Sequence, residues 1–172
     1  GVCGADSFEN WVLVFSDGLH PDQWLRSFFM HASWEHLIGN MIFLWVFGLV
    51  VEGKLGWWRF LCCYLAIGLG VSILEQVITM GVTMPAPGSV GASTAIFGIV
   101  AMAAIWAPKN DVTFFWWFMF RLGTFDIGIA TLAVAYIGLE IVMVCIFGTG
   151  AGSSILHLLG FALGVPLGIV LL

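Results

Sequence analysis

The sequence predicts an all-α fold, a polytopic bundle of membrane helices in one domain, and three observations carry that reading. Of 172 residues, 61% are hydrophobic and only 9% are charged, against about 25% charged in an ordinary soluble domain. The apolar residues gather into five runs, at 37 to 51, 60 to 80, 95 to 107, 127 to 147 and 155 to 172. Five spans of about 20 residues would use roughly 100 residues, which leaves no room for a separate soluble domain with its own core.

Residues 1 to 35 come first and mix Asp6, Glu9, Asp17, Asp22, Arg26 and Glu35 with Trp11, Phe15, Trp24, Phe28, Phe29 and Trp34. Interleaved charges and aromatic rings suit the headgroup level of a bilayer. This segment is therefore expected to be an interfacial loop carrying one or two short helices, with residues 36 to 172 forming the membrane domain. The five runs follow as five helices, the third of them short. Between the third and fourth, Phe114 to Phe120 is too short to cross and is expected to lie along the interface.

Alternating five spans places 52 to 59 and 108 to 126 on one side, and 1 to 35, 79 to 92 and 148 to 154 on the other. Lys54, Arg59, Lys109 and Arg121 fall on the first side and Arg26 alone on the second. The positive-inside rule makes the first side cytoplasmic, so residues near 36, 93 and 157 belong near the extracytoplasmic face. A net charge of -5 with scattered basic residues gives no footprint for a phosphate backbone, and nucleic acid is excluded as a partner. Cys3, Cys62, Cys63 and Cys145 show no metal-ligand spacing and read as small core hydrophobes. The chain lacks an initiator Met and ends within apolar sequence at Leu172, so it is expected to be an excerpt of a longer protein.

Polar side chains inside spans are costly and each asks for a reason. His36 and Asn40 are one helical turn apart and point the same way near the outer end of the first span. Ser93 opens the third span after Gly88, Gly91 and Ala92, residues that permit close backbone approach. At 100° per residue, Gly164 and Gly168 lie within about 20° of His157 and Gly160 about 60° away, so the imidazole shares a glycine face. Such a face lets a neighbouring helix come close. Val100 and Ala104 keep the Ser93 face slim, and a Ser93–His157 pairing is physically sensible.

A serine needs an adjacent base to become a nucleophile, and neutral histidine is the usual one. His36 and Asn40 then stand as donors to an oxyanion. The same residues also suit interhelical hydrogen bonding and packing alone. Glu75, Gln76 and Glu140 read as buried hydrogen-bonding partners, as residues close to span ends, or as markers of an ion path.

Four blocks together resemble the rhomboid intramembrane serine proteases over most of residues 24 to 172. His36-Leu-Ile-Gly-Asn40-Met is similar to the HxxxN block, and Phe47-Gly48 is followed by Glu52 and Leu55-Gly56. Gly91-Ala92-Ser93 with Ala95 and Phe97-Gly98 is similar to GxSG, and His157-Leu-Leu-Gly160 with Gly164 to HxxGxxxG. The resemblance implies a Ser-His dyad without a carboxylate third member. Ser93 would be the nucleophile, His157 the base and then the acid, and His36, Asn40 and the Ser93 backbone N–H the oxyanion hole. His31 matches a further family histidine that shapes the polar cavity, and equally reads as an interfacial loop histidine.

The family needs no metal or organic cofactor, and its substrates are transmembrane protein helices cut near the outer face. Its first transmembrane helix has no counterpart here and is expected upstream of Gly1. Thr94 replaces the second glycine of GxSG, and Trp24-Leu-Arg26 stands where the family commonly has adjacent Trp-Arg. The glycine-rich stretches 81 to 91 and 148 to 152 are candidates for gating entry.

The alternative to a protease is a catalytically silent rhomboid-like protein that binds membrane helices, which Thr94 favours and retention of Ser93 and His157 opposes. A zinc protease needs HExxH, whereas His31-Ala-Ser-Trp-Glu35-His36 lacks both the order and the i, i+4 histidine pair. A transporter would show repeated halves, and none are seen.

Overall fold

The computed structural model describes residues 11–15, 18–82, 88–148 and 152–172. Cys3 and the centres of the two glycine-rich stretches, 83–87 and 149–151, lie outside the described residues. The order of elements is β1 (Leu13–Val14), α1 (Pro21–Arg26), a 3-10 turn (Ser27–Phe29), α2 (Trp34–Leu55), α3 (Trp57–Thr79), β2 (Gly88–Ser89), α4 (Ser93–Trp106), β3 (Asp111–Phe118), β4 (Arg121–Gly128), α5 (Ile129–Phe147) and α6 (Gly152–Val170).

Each of the five apolar runs is a helix. Four of them, α2, α3, α5 and α6, are long and apolar enough to cross a membrane. α4 has 14 residues, about 21 Å at 1.5 Å per residue, which is shorter than a hydrocarbon core of about 30 Å.

Local chemistry sets the ends. Ser33 caps α2 by accepting the His36 backbone N–H at 3.2 Å, which satisfies one of the free donors of the first turn. Gly56, at φ +78°, ends α2 through its N–H to the Glu52 carbonyl at 2.7 Å and starts α3 one residue later. An L side chain rarely adopts that φ, so glycine permits the tight reversal.

α4 is the centre of the bundle. Ala95 to Ala103 are all buried, and the helix packs against α2, α3, α5 and most extensively α6. Without a hydrophobic drive between helices in lipid, close packing and polar contacts must hold such a bundle. Both are present at the C-terminal end of α4, where the Trp106 indole donates to the Gly168 carbonyl at 2.6 Å and Lys54 donates to the Trp106 carbonyl at 3.2 Å.

The segment after α4 is a β-hairpin, which the sequence reading did not anticipate. β3 and β4 pair antiparallel from Asp111↔Gly128 to Phe118↔Arg121. Met119 turns the chain at φ 53°, and Thr113 donates to Asp126 across the ladder at 2.6 Å. Seven apolar residues cannot satisfy their backbone by crossing a membrane, but pairing with the following strand does so. Trp117, Phe118 and Phe120 are exposed on this hairpin.

The expectation of core cysteines needs correction: Cys63 is buried, while Cys62 and Cys145 are exposed on outward helix faces. In an apolar helix the outward face is as apolar as the inward one, so composition does not tell them apart.

The N-terminal segment is tied to the bundle by Gln76. Its side-chain oxygen accepts from the His20 N–H at 2.9 Å and the Trp24 indole at 2.7 Å, and its amide donates to the Val14 carbonyl at 3.2 Å and to Gln23 at 3.4 Å. β1 then pairs with β2, so the same anchor steadies the loop that enters α4.

Candidate active site

Helices α2, α4 and α6 present their N-terminal ends to one another, and those ends carry His36, Ser93 and His157. Ser93 is the first residue of α4. Its approach is fixed by β2 against β1 and by the Gly91 N–H, which donates to the Ser27 carbonyl at 2.8 Å. Gly91 sits at φ +110°, and a Cβ there would fall 2.8 Å from His36 Cε1 and 3.6 Å from Asn40 Nδ2. Only glycine meets both constraints, and both side chains therefore converge two residues before Ser93.

The glycine face of α6 does what its spacing suggests. Gly160, Gly164 and Gly168 are all buried. A Cβ on Gly160 would collide with the Thr94 carbonyl, and one on Gly164 with the Gly98 carbonyl. The helices thus touch backbone to backbone, with Ser93 and His157 at the end of that contact nearest the N-terminus of α4. Ser93 Oγ lies 2.9 Å from His157 Nε2.

Two further residues hold the imidazole. Phe97, one turn below Ser93, stacks on it with centroids 4.3 Å apart and planes 4° from parallel. Glu140 on α5 reaches its other nitrogen, with Oε1 2.8 Å from Nδ1. Sequence reasoning assigned neither role. The available signals were a lone acidic side chain in an otherwise apolar helix and an aromatic residue four after the serine.

Ser93 and His157 open into a cavity of about 550 Å³ whose wall also includes His36, Gly91, Thr94, Ser72, Ser89 and Glu75. Asn40 Nδ2 and Glu75 Oε1 are buried without a hydrogen-bond partner among the described residues. Unpaired buried polar atoms mark a place where water or a bound group completes the bonding. His31 does not line this cavity. It meets the His36 ring edge to face at 5.2 Å and faces a separate shallow groove beside Trp34 and Leu37.

The site is thus a hydroxyl on a histidine nitrogen, beside convergent donors, in a partly polar cavity at one end of an apolar bundle. Comparison with known proteins identifies the family. The chain is 34% identical over 83 residues to "Rhomboid-like protein 11, chloroplastic" of Arabidopsis thaliana, covering 48% of this chain and 28% of the relative. It is 31% identical over 106 residues to "Rhomboid-type serine protease 2" of Emericella nidulans, covering 59% and 20%. It is 33% identical over 91 residues to "Rhomboid-like protease 2" of Toxoplasma gondii, covering 48% and 30%. The matched part therefore spans less than a third of each of these relatives. No solved structure matches the chain with significance. The family model described as Rhomboid domain matches residues 21–172, and with four helices of spanning length the chain belongs to the rhomboid family of integral, multi-pass membrane proteins.

Proposed function

We propose that the chain is an intramembrane serine endopeptidase that cuts transmembrane helices near the extracytoplasmic face. The observation that carries the proposal is the 2.9 Å contact between Ser93 Oγ and His157 Nε2 at the wall of a partly polar cavity. The extracytoplasmic placement rests on the distribution of Lys54 at the end of α2, Arg59 at the start of α3, and Lys109 and Arg121 between α4 and α5, all at the end of the bundle opposite the site.

In this reading Ser93 Oγ attacks the scissile carbonyl carbon while His157 Nε2 takes its proton. Negative charge moves to the carbonyl oxygen, where the Ser93 backbone N–H, His36 and Asn40 are the donors. As first residue of α4, Ser93 has a backbone N–H that the helix itself leaves free. The tetrahedral intermediate collapses, the C–N bond breaks, and His157 gives its proton to the departing amine. Water then attacks the acyl ester with His157 again as base, releasing the acid and restoring the serine. The substrate segment must leave its helix first, because a membrane helix hides its carbonyls in its own hydrogen bonds. Glu75, Ser72 and Ser89 give the cavity polar groups that can hold the hydrolytic water.

Labelling in membranes with a fluorophosphonate tests the assignment. The parent protein is expected to be labelled, and Ser93→Ala and His157→Ala are expected to lose labelling while remaining inserted. Equal labelling of Ser93→Ala would overturn the nucleophile. A second reading, a silent member that binds membrane helices, is favoured by Thr94 at the position of the family's second glycine. A folded, inserted protein that takes no label would overturn the protease reading and favour this one.

A further inference from the structure

His157 is bonded at both ring nitrogens, to Ser93 Oγ at Nε2 and to Glu140 Oε1 at Nδ1. We infer that Glu140 is a positioning residue for His157, converting the Ser-His pair into a three-membered Glu140–His157–Ser93 chain. The inference rests on the proposed roles of Ser93 and His157 and deepens them.

Three observations support it. Glu140 is the only acidic or basic side chain in the 19 residues of α5, and an isolated carboxyl in an apolar helix is retained against a cost. Its carboxyl is largely shielded, at 14% exposed, as is the histidine at 18%. The bond also supplies what the Phe97 stack cannot. A parallel phenyl ring fixes the plane of the imidazole but leaves it free to flip and to slide within that plane. A carboxylate accepting the Nδ1 proton removes both freedoms and leaves the Nε2 lone pair facing the serine hydroxyl.

The same contact then serves during turnover. When Nε2 takes the Ser93 proton the ring becomes an imidazolium, and the adjacent carboxylate balances the new charge without itself taking a proton. If the carboxyl were instead protonated and donated to Nδ1, the ring proton would sit on Nε2 and Ser93 would have no base. The two arrangements predict opposite results.

The test compares phosphonylation rate constants of the parent, Glu140→Gln, Glu140→Asp and Ser93→Ala in membranes, with melting temperature as the control for folding. Gln is the neutral isostere. Its rate is expected to fall at least about a hundredfold with melting unchanged, because its amide can donate to Nδ1 and stabilise the wrong tautomer. Asp keeps the charge on a shorter arm, and a rate between those of the parent and Gln is expected. A Gln rate within threefold of the parent would overturn the inference while leaving Ser93 and His157 in place. An unlabelled, folded parent, or label retained in Ser93→Ala, would overturn the underlying reading and this inference with it. A measurement on the parent alone is independent of how the variants fold. The imidazole nitrogen-15 spectrum of His157 is expected to show the Nδ1-protonated tautomer, and the Nε2-protonated form would refute the role of Glu140.

Discussion

Helices α4 and α6 meet through their backbones, whereas α5 buries only Ile129, Leu132 and Ala133 near its start and reaches the site through Glu140. The contrast separates two ways of holding a reactive group. Along α4 and α6 the glycines let carbonyls and α-carbons touch, so the distance between the helices is set by hard contact and carries directly to the 2.9 Å pair at the N-terminal end of α4. On α5 one polar bond aims a ring that is already in place. Contact of the first kind fixes where the two groups are, and a bond of the second kind fixes which lone pair faces which proton.

The largest effect is therefore expected from breaking the first interface. In Gly164→Val the new side chain would start from a Cβ that runs into the Gly98 carbonyl and lies 2.6 Å from the Gly98 α-carbon. Backbone cannot rotate away, so the helices must part, at a cost of about 1–3 kcal/mol or more. A separation of about 1 Å at the reacting atoms lowers rates about a hundredfold. Both melting temperature and phosphonylation rate should fall, with Gly164→Ala in between. A Val variant that melts and reacts like the parent would show that this contact does not set the Ser93–His157 distance.

How much of this was legible in the sequence follows the same division. The helices could be read because apolar runs are local, and the structure moves their ends by only a few residues: 37 to 51 became Trp34–Leu55, and 95 to 107 became Ser93–Trp106. The glycine face of α6 could be read because 3.6-residue periodicity places His157, Gly164 and Gly168 on one side before any neighbour is known. Where the neighbour decides, the sequence was silent. Glu140 and His157 are 17 residues apart on different helices, and no periodicity fixes the relative rotation of two helices. Gln76 shows the same limit, since its partners come from residues 14 to 24. The β3–β4 hairpin was missed because a run such as Phe114 to Phe120 has no alternation to separate a strand from a short apolar helix.

A smaller effect is expected at Thr94, which belongs to the tight interface by its backbone and to the cavity by its side chain. Its carbonyl faces Gly160, and it lines the cavity beside Ser93. Thr94→Gly leaves the carbonyl contact in place and removes the β-branched side chain next to the nucleophile. Its helix-propensity cost is under about 1 kcal/mol, and labelling is expected at or above the parent rate. Complete loss of labelling in a folded Thr94→Gly protein would mean that the threonine side chain has become part of the working site.

The smallest effect is expected from the glycine on the other side of the comparison. Gly138 lies in α5, two residues before Glu140, and a Cβ there meets nothing within 4 Å. Gly138→Ala adds the methyl that Gly164 cannot accept, but to a helix whose spacing is not set by glycine contact. Helix propensity then acts alone, and stability should stay level or rise by up to about 1 kcal/mol, with the phosphonylation rate unchanged because the Glu140–His157 bond is undisturbed. A marked fall in rate or melting temperature would show that this face of α5 is in close contact with something in the membrane, such as a second copy of the chain. The contrast between a backbone-packed pair and a helix held by side chains alone, near its start, through Tyr136 against Phe43 and at Glu140, would then no longer hold.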